Sequence, residues 1–98
     1  MNGQMEIYWE DAIEGPERSY SIFVQVAYAI ESDPGGGQGE CEIKRVTIGA
    51  ANVYGKQGFI GHMEQLSPRF CRLFRDRFDR AYPHVDLVDM CRNHAVEL

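Results

Sequence analysis

Cys91 and His94, with two residues between them, have the spacing of a metal-ligating pair, and Cys71 or His84 would be needed to complete a tetrahedral zinc set. A second closely spaced pair is missing, so the expectation is an ordinary helix-rim histidine and no metal site. Cys71 with His62 or His84 has the composition of a nucleophile and its base, but no local signature sets the thiol against an imidazole. The segment Gly55-Lys56-Gln57-Gly58-Phe59-Ile60-Gly61 is glycine-rich without being a phosphate loop. Its lysine is not followed by Ser or Thr after the glycines, and it does not pass directly from strand to helix. It reads as a turn-rich connection in which Tyr54, Phe59 and His62 either contact a partner or fill the core. Glu10 and Glu14 have no pocket, nucleophile context or cofactor loop around them. The expectation is a non-enzymatic protein without a cofactor.

The charges are distributed unevenly. The chain of 98 residues carries a formal net charge of -5, which opposes direct binding to nucleic-acid backbones or anionic membranes. From Met1 to Thr47, nine acids face three bases, a local balance of -6. From Ser67 to Tyr82, five arginines (Arg69, Arg72, Arg75, Arg77, Arg80) face Asp76 and Asp79, a balance of +3. Forked guanidinium donors suit carboxylates and phosphates, although the same face also reads as a solvated surface knitted by i,i+4 pairs. The carboxylates Glu10, Asp11, Glu14 and Glu17 fall in one polar stretch, and Asp33, Glu40 and Glu42 flank a later turn. These seven are the candidate partner-binding residues: a dense acidic surface steers a basic protein toward itself. The bland alternative is a solubilising loop.

Three well-separated cysteines, an odd number, disfavour a disulfide framework. Neither a secretory leader nor an apolar run of membrane-spanning length stands out. Reduced thiols and a soluble cytoplasmic protein are expected.

The elements that must position these groups follow from periodicity. Tyr20, Ile22, Val24, Val26, Tyr28 and Ile30 alternate with smaller or polar residues, the signature of a long strand, and Phe23 interrupts its second face. A shorter strand is expected over Met5 to Trp9, followed by a polar loop through Arg18. Whether Tyr8 and Trp9 belong to the core or to an interface stays open. Asp33-Pro34-Gly35-Gly36-Gly37-Gln38-Gly39 ends the long strand. Glu40 to Ile48 should return antiparallel, with a bulge near Lys44-Arg45 bringing Cys41 and Ile43 onto the face of Val46 and Ile48. Residues 49–65 read as irregular, with a strand around Phe59-Ile60 as the alternative.

Ser67 and Pro68 suit the cap and first turn of a helix that ends before Pro83. Its apolar stripe is Phe70, Phe74, Phe78 and Ala81. A second, short helix is expected over Asp86 to His94, packing through Val85, Val88 and Cys91 or Met90, with a frayed end beyond. The fold class is α+β: a single domain over residues 1–98, with a small antiparallel sheet of two to four strands packed by a C-terminal amphipathic helix and a second short one.

The early strands ending in Cys41-Glu42-Ile43-Lys44-Arg45-Val46-Thr47-Ile48, and the late helix opening Leu66-Ser67-Pro68-Arg69-Phe70, give a plan that resembles small accessory proteins of phages and prophages, anti-CRISPR inhibitors among them. The resemblance lies in overall plan and carries over no functional residue. It implies direct, cofactor-free binding to a host protein. The expected function is therefore a protein-binding regulatory or accessory role, with inhibition of a nucleic-acid-handling or defence complex as its sharpest form. The alternative is an assembly component of a phage or other particle, using the same surfaces between copies, as a homodimer or larger array.

Overall fold

The inward side of the long alternating strand sets the architecture. In the computed structural model, which describes residues 1–32, 35 and 38–97 (all but the side chains of Ser32 and Gln38), this strand is β2, Arg18–Ser32. Ile22, Val24 and Val26 are wholly excluded from solvent, and Tyr28 and Ile30 nearly so. It lies between β1, Asn2–Glu14, and β3, Gln38–Gly55, and β4, Gly58–Met63, completes an antiparallel meander in the order β1-β2-β3-β4. Two helices follow, α1, Pro68–Ala81, and α2, His84–Glu97. The α+β class is therefore observed, with four strands and two helices among the described residues.

Bulges keep apolar residues on the inner face. Ala27 pairs with Arg45 and Tyr28 with Ile43, so Lys44 is the extra residue. This is the irregularity that the parity change between Ile43 and Val46 demands. A second bulge separates Val24↔Ile48 from Ile22↔Ala51. Gly49 and Ala50 absorb it, and β3 continues with Ala51 and Val53 buried. The expected irregular stretch therefore begins as strand. The turn at Lys56-Gln57 reverses the chain into β4, where Gly58 has φ 113, a conformation that side-chain-bearing residues rarely adopt.

β1 departs most from expectation. Its pairing runs from Asn2↔Ala29 to Trp9↔Ile22, then resumes at Ile13↔Tyr20 with two extra residues on β1. Asp11 adopts φ 50, and its N–H donates to the buried Ser21 hydroxyl at 3.1 Å. That bond satisfies a donor the ladder has lost and lets Ala12 turn into the core. Residues 10–14 are consequently strand, and the polar loop shrinks to a turn closed by the Gly15 N–H donating to the Arg18 carbonyl at 2.7 Å.

Ser67 caps α1 by accepting from the Phe70 N–H at 3.3 Å, with Pro68 in the first turn. Phe74 and Phe78 are buried, whereas Phe70 lies at the margin of the stripe and Ala81 is exposed. Tyr82 ends the helix by donating its N–H to the Phe78 carbonyl. α2 begins directly after Pro83, and at 14 residues it equals α1. Leu87 and Cys91, one turn apart, are its buried pair. Val85, expected inside, points outward, and residues 95–97 remain helical. Leu98 lies outside the described residues. Both helices cover one side of the sheet, and their aromatic seam includes Trp9 edge-on to Phe78 at 5.7 Å and Phe78 stacked on Tyr82 at 4.8 Å.

Phe78→Ala should lower unfolding free energy by about 3–5 kcal/mol because the emptied volume sits between two rigid layers. Phe59→Ala, at an exposed position, should change it by less than about 0.5 kcal/mol. Urea denaturation of the two variants beside the parent chain checks the contrast.

Candidate partner-binding face

Strand alternation sends to the outer face every residue that β2's inner register rejects. Tyr8 and Phe23 are direct cross-strand partners, and their rings lie 4.8 Å apart. The Phe23 ring meets His62 of β4 at 6.1 Å, and Tyr54 of β3 meets Phe59 at 5.7 Å. Contacts of this kind contribute roughly 0.5–1.5 kcal/mol each beyond area burial. None of these rings enters the core cluster, which forms on the helix side.

A hydrogen-bonded chain ties the aromatic groups together. Asn52 is paired with both Ser21 and His62 in the sheet. His62 Nδ1 donates to Asn52 Oδ1 at 2.7 Å, since a carbonyl oxygen can only accept. Asn52 Nδ2 then donates to the Tyr8 hydroxyl at 3.3 Å, and the Tyr8 and Tyr54 hydroxyls lie 3.1 Å apart. The contact with Tyr54 is the main cause holding the Tyr8 phenol below its ordinary pKa, with Asn52 and Ser21 assisting against burial and Glu10. The same bond raises the Tyr54 phenol. The relay fixes His62 as the Nδ1–H tautomer, and its Nε2 has no partner among the described residues.

Two clefts flank the relay. Tyr8, Tyr54, Ser21, Glu10, Asp11 and Lys56 line one. Glu6, Phe23, Gln25, Thr47 and His62 line the other. The β1 bulge puts Glu10 and Asp11 beside Tyr8, so carboxylates border an aromatic floor. Such a surface can bury planar or aliphatic groups at its centre and pair cations at its rim.

The sequence-derived acidic residues fall into two groups. Glu10, Asp11, Glu14 and Glu17 are exposed at the β1–β2 turn end of the sheet. Glu40 and Glu42 are exposed toward the other end of β3, and Glu42 is paired with Lys44 at 2.9 Å. Glu14 lies opposite Ser19 and Glu42 opposite Ala29, positions that strand rise separates by about 33 Å along β2. Asp33 lies outside the described residues.

Tyr54, Phe59 and His62, singled out from the sequence, do meet on the outer face. Tyr8 joins them, whereas its neighbour Trp9 joins the helix seam. Phe23's break in the β2 pattern was the signal for this face. Asn52 gave none, because its orientation depends on the bulge at Gly49-Ala50.

The other chemical candidates do not converge. His94 Nδ1 bonds the Tyr28 hydroxyl at 2.7 Å, the Cys71 thiol donates to the Leu66 carbonyl, and no group of three His, Cys, Asp or Glu side chains among the described residues is placed to hold a metal. Of the i,i+4 pairs expected on α1 (Arg72–Asp76, Arg75–Asp79 and Asp76–Arg80), Arg75–Asp79 is closed at 3.0 Å among the described residues, and Arg75 also donates to the Val46 carbonyl. No helix among the described residues is long and apolar enough to cross a membrane. No family model, curated protein or solved structure was found to match this chain.

Tyr54→Phe removes the hydroxyl whose contact most lowers the Tyr8 phenol and should move that phenol upward toward 10, and Asn52→Ala should do so to a smaller extent. A pH titration of ring-labelled tyrosines by NMR reads each phenol separately. A Tyr8 titration indifferent to Tyr54→Phe would contradict this order of causes.

Proposed function

We propose that the chain is a non-enzymatic protein-binding module whose uncovered sheet face captures a basic surface of a protein partner. The observation that carries this reading is the pre-ordered His62–Asn52–Tyr8–Tyr54 relay, standing on the side away from the helices and bordered by Glu10 and Asp11. Rings already held by hydrogen bonds and ring contacts lose little rotamer freedom on binding. Tyr8, Phe23, Tyr54 and Phe59 supply the central contact. Glu6, Glu10, Asp11, Glu14 and Glu17 supply a negative rim that accelerates encounter and selects for lysine- and arginine-rich partners.

The partner class that fits this combination is the basic groove of a nucleic-acid-handling protein, where the rim carboxylates would stand in for phosphates. Occupying such a groove inhibits or regulates it. A second reading, assembly of copies of this chain, is favoured by one observation: Arg69, Arg72, Arg77 and Arg80 are exposed on α1, in the layer opposite the acidic rim. The acidic rim of one copy would then meet the arginine face of the next, head to tail.

Affinity purification from the native host at mild salt, followed by kinetics on the reconstituted complex, tests the first reading. Neutralising Glu10, Asp11, Glu14 and Glu17 together should slow association about tenfold or more and flatten its salt dependence. Tyr8→Ala or Phe59→Ala should instead speed dissociation, at a cost of about 1–3 kcal/mol. Neutralising Glu40 and Glu42 should leave both rates near parental. Concentration-dependent growth of the isolated chain in light scattering, abolished by the same four acidic substitutions, would replace the first reading with the second.

A further inference from the structure

The seam between α2 and β3 holds a pair of thiols that the outer sheet face does not use. Cys41 occupies the inward register of β3 opposite Ile30 and is partly exposed, whereas Cys91 of α2 is fully buried. Cys41 packs against the core cluster that holds both Cys91 and Tyr28, His94, three residues beyond Cys91, bonds the Tyr28 hydroxyl at 2.7 Å, and both thiols act electrostatically on the Tyr28 phenol. Arg92, next in sequence to Cys91, is close enough for its charge to favour the Cys41 thiolate. Its buried Nε has no hydrogen-bond partner among the described residues, an orphan donor at a place where a negative sulfur or its oxygen adduct would satisfy it.

We propose that Cys41 and Cys91 are an oxidation site that closes an intrachain disulfide between β3 and α2 under hydroperoxide. Exposure sets the order of events. The Cys41 thiolate, reachable from solvent, attacks the terminal hydroperoxide oxygen. The O–O bond breaks, and the remaining oxygen departs as an alcohol, or as water from hydrogen peroxide, after taking up the proton lost by the Cys41 thiol. Cys41 becomes a sulfenic acid. The Cys91 sulfur then attacks the Cys41 sulfur, the S–O bond breaks, and the hydroxide leaves as water with the Cys91 proton. Two electrons have passed from the two thiols to one hydroperoxide.

Burial pushes the Cys91 thiol up to about 11 and raises Cys41 as well, against the opposing influence of Arg92. Thiolate is therefore the minor form at neutral pH, and the site responds to sustained rather than fleeting oxidant. The product bond closes a loop of about 50 residues, the kind of cross-link that most restricts an unfolded chain. It also reinforces a helix whose buried side chains are Leu87 and Cys91.

Exposing the full chain to hydrogen peroxide, then alkylating and digesting without reduction, tests this by mass spectrometry. The expected product has lost two hydrogens, yields a peptide linking Cys41 to Cys91, and leaves Cys71 alkylatable. Its melting temperature should rise by at least about 4 °C and return on treatment with dithiothreitol. Cys91→Ser should leave Cys41 as a sulfenic acid trapped by dimedone, and Cys41→Ser should leave Cys91 unreacted. Arg92→Gln should slow closure about tenfold. The proposal fails if Cys41 and Cys91 stay reduced after Cys71 has been consumed, or if the disulfide recovered joins Cys71 to either of them. The parent-chain mapping decides the matter even where a serine variant does not fold.

Discussion

Everything in this molecule hangs on the dry contact between the inner face of β2 and the two phenylalanines of α1. Ile22, Val24, Val26, Phe74 and Phe78 are all essentially without solvent exposure. Their packing fixes which parity of every neighbouring strand must face inward. Each bulge in β1 and β3 then follows as a local accommodation, spending one or two residues so that the next apolar side chain arrives on the correct side. In β1 that accommodation is also what sets Glu10 and Asp11 beside Tyr8. The core and the outer face are thus coupled through register: the contacts that bury Ala12 and Trp9 also aim the carboxylates.

A sheet covered on one side only must do something with its other side. Here the outer face is polar over much of its length, with Gln4 bonded to Gln25 and Thr47 exposed, as expected for a solvated antiparallel sheet. Toward the β1–β2 turn it changes character, and four aromatic rings, a histidine and an asparagine gather. Rings left at a surface and tied by hydrogen bonds have no role in holding the helices, which is why this region supports a recognition role better than the arginine face does.

The sequence was most legible where one periodicity ran uninterrupted. The alternation of β2 and the Ser67-Pro68 start of α1 are local signals, and both elements lie where those signals put them. The bulge at Lys44 was legible because a parity change between Ile43 and Val46 has few other remedies. The bulges at Glu10–Ala12 and Gly49-Ala50 were not, because each depends on a distant partner: the Ser21 hydroxyl in one case and the Phe23 position in the other. Their illegibility hid the length of β1 and β3, and with it the position of Asn52. The acidic residues were easily listed from composition, but their division between two ends of a molecule 54 Å long is a property of hairpin order. The short estimate for α2 reflects its weak apolar stripe, in which Leu87 and Cys91 are the buried residues.

Tyr8 and Trp9 are neighbours in sequence, yet they stand on opposite sides of the sheet. Trp9 is the chain's one tryptophan, and its indole lies against Phe78 and Tyr82. Intrinsic emission from this protein therefore comes from the helix layer and is set by how tightly α1 sits on the sheet. Phenol absorption from Tyr8 and Tyr54 is set by what lies over the other side. The tryptophan of the unlabelled molecule thus reports the helix side alone, whereas its five tyrosines are shared between the two sides of the sheet.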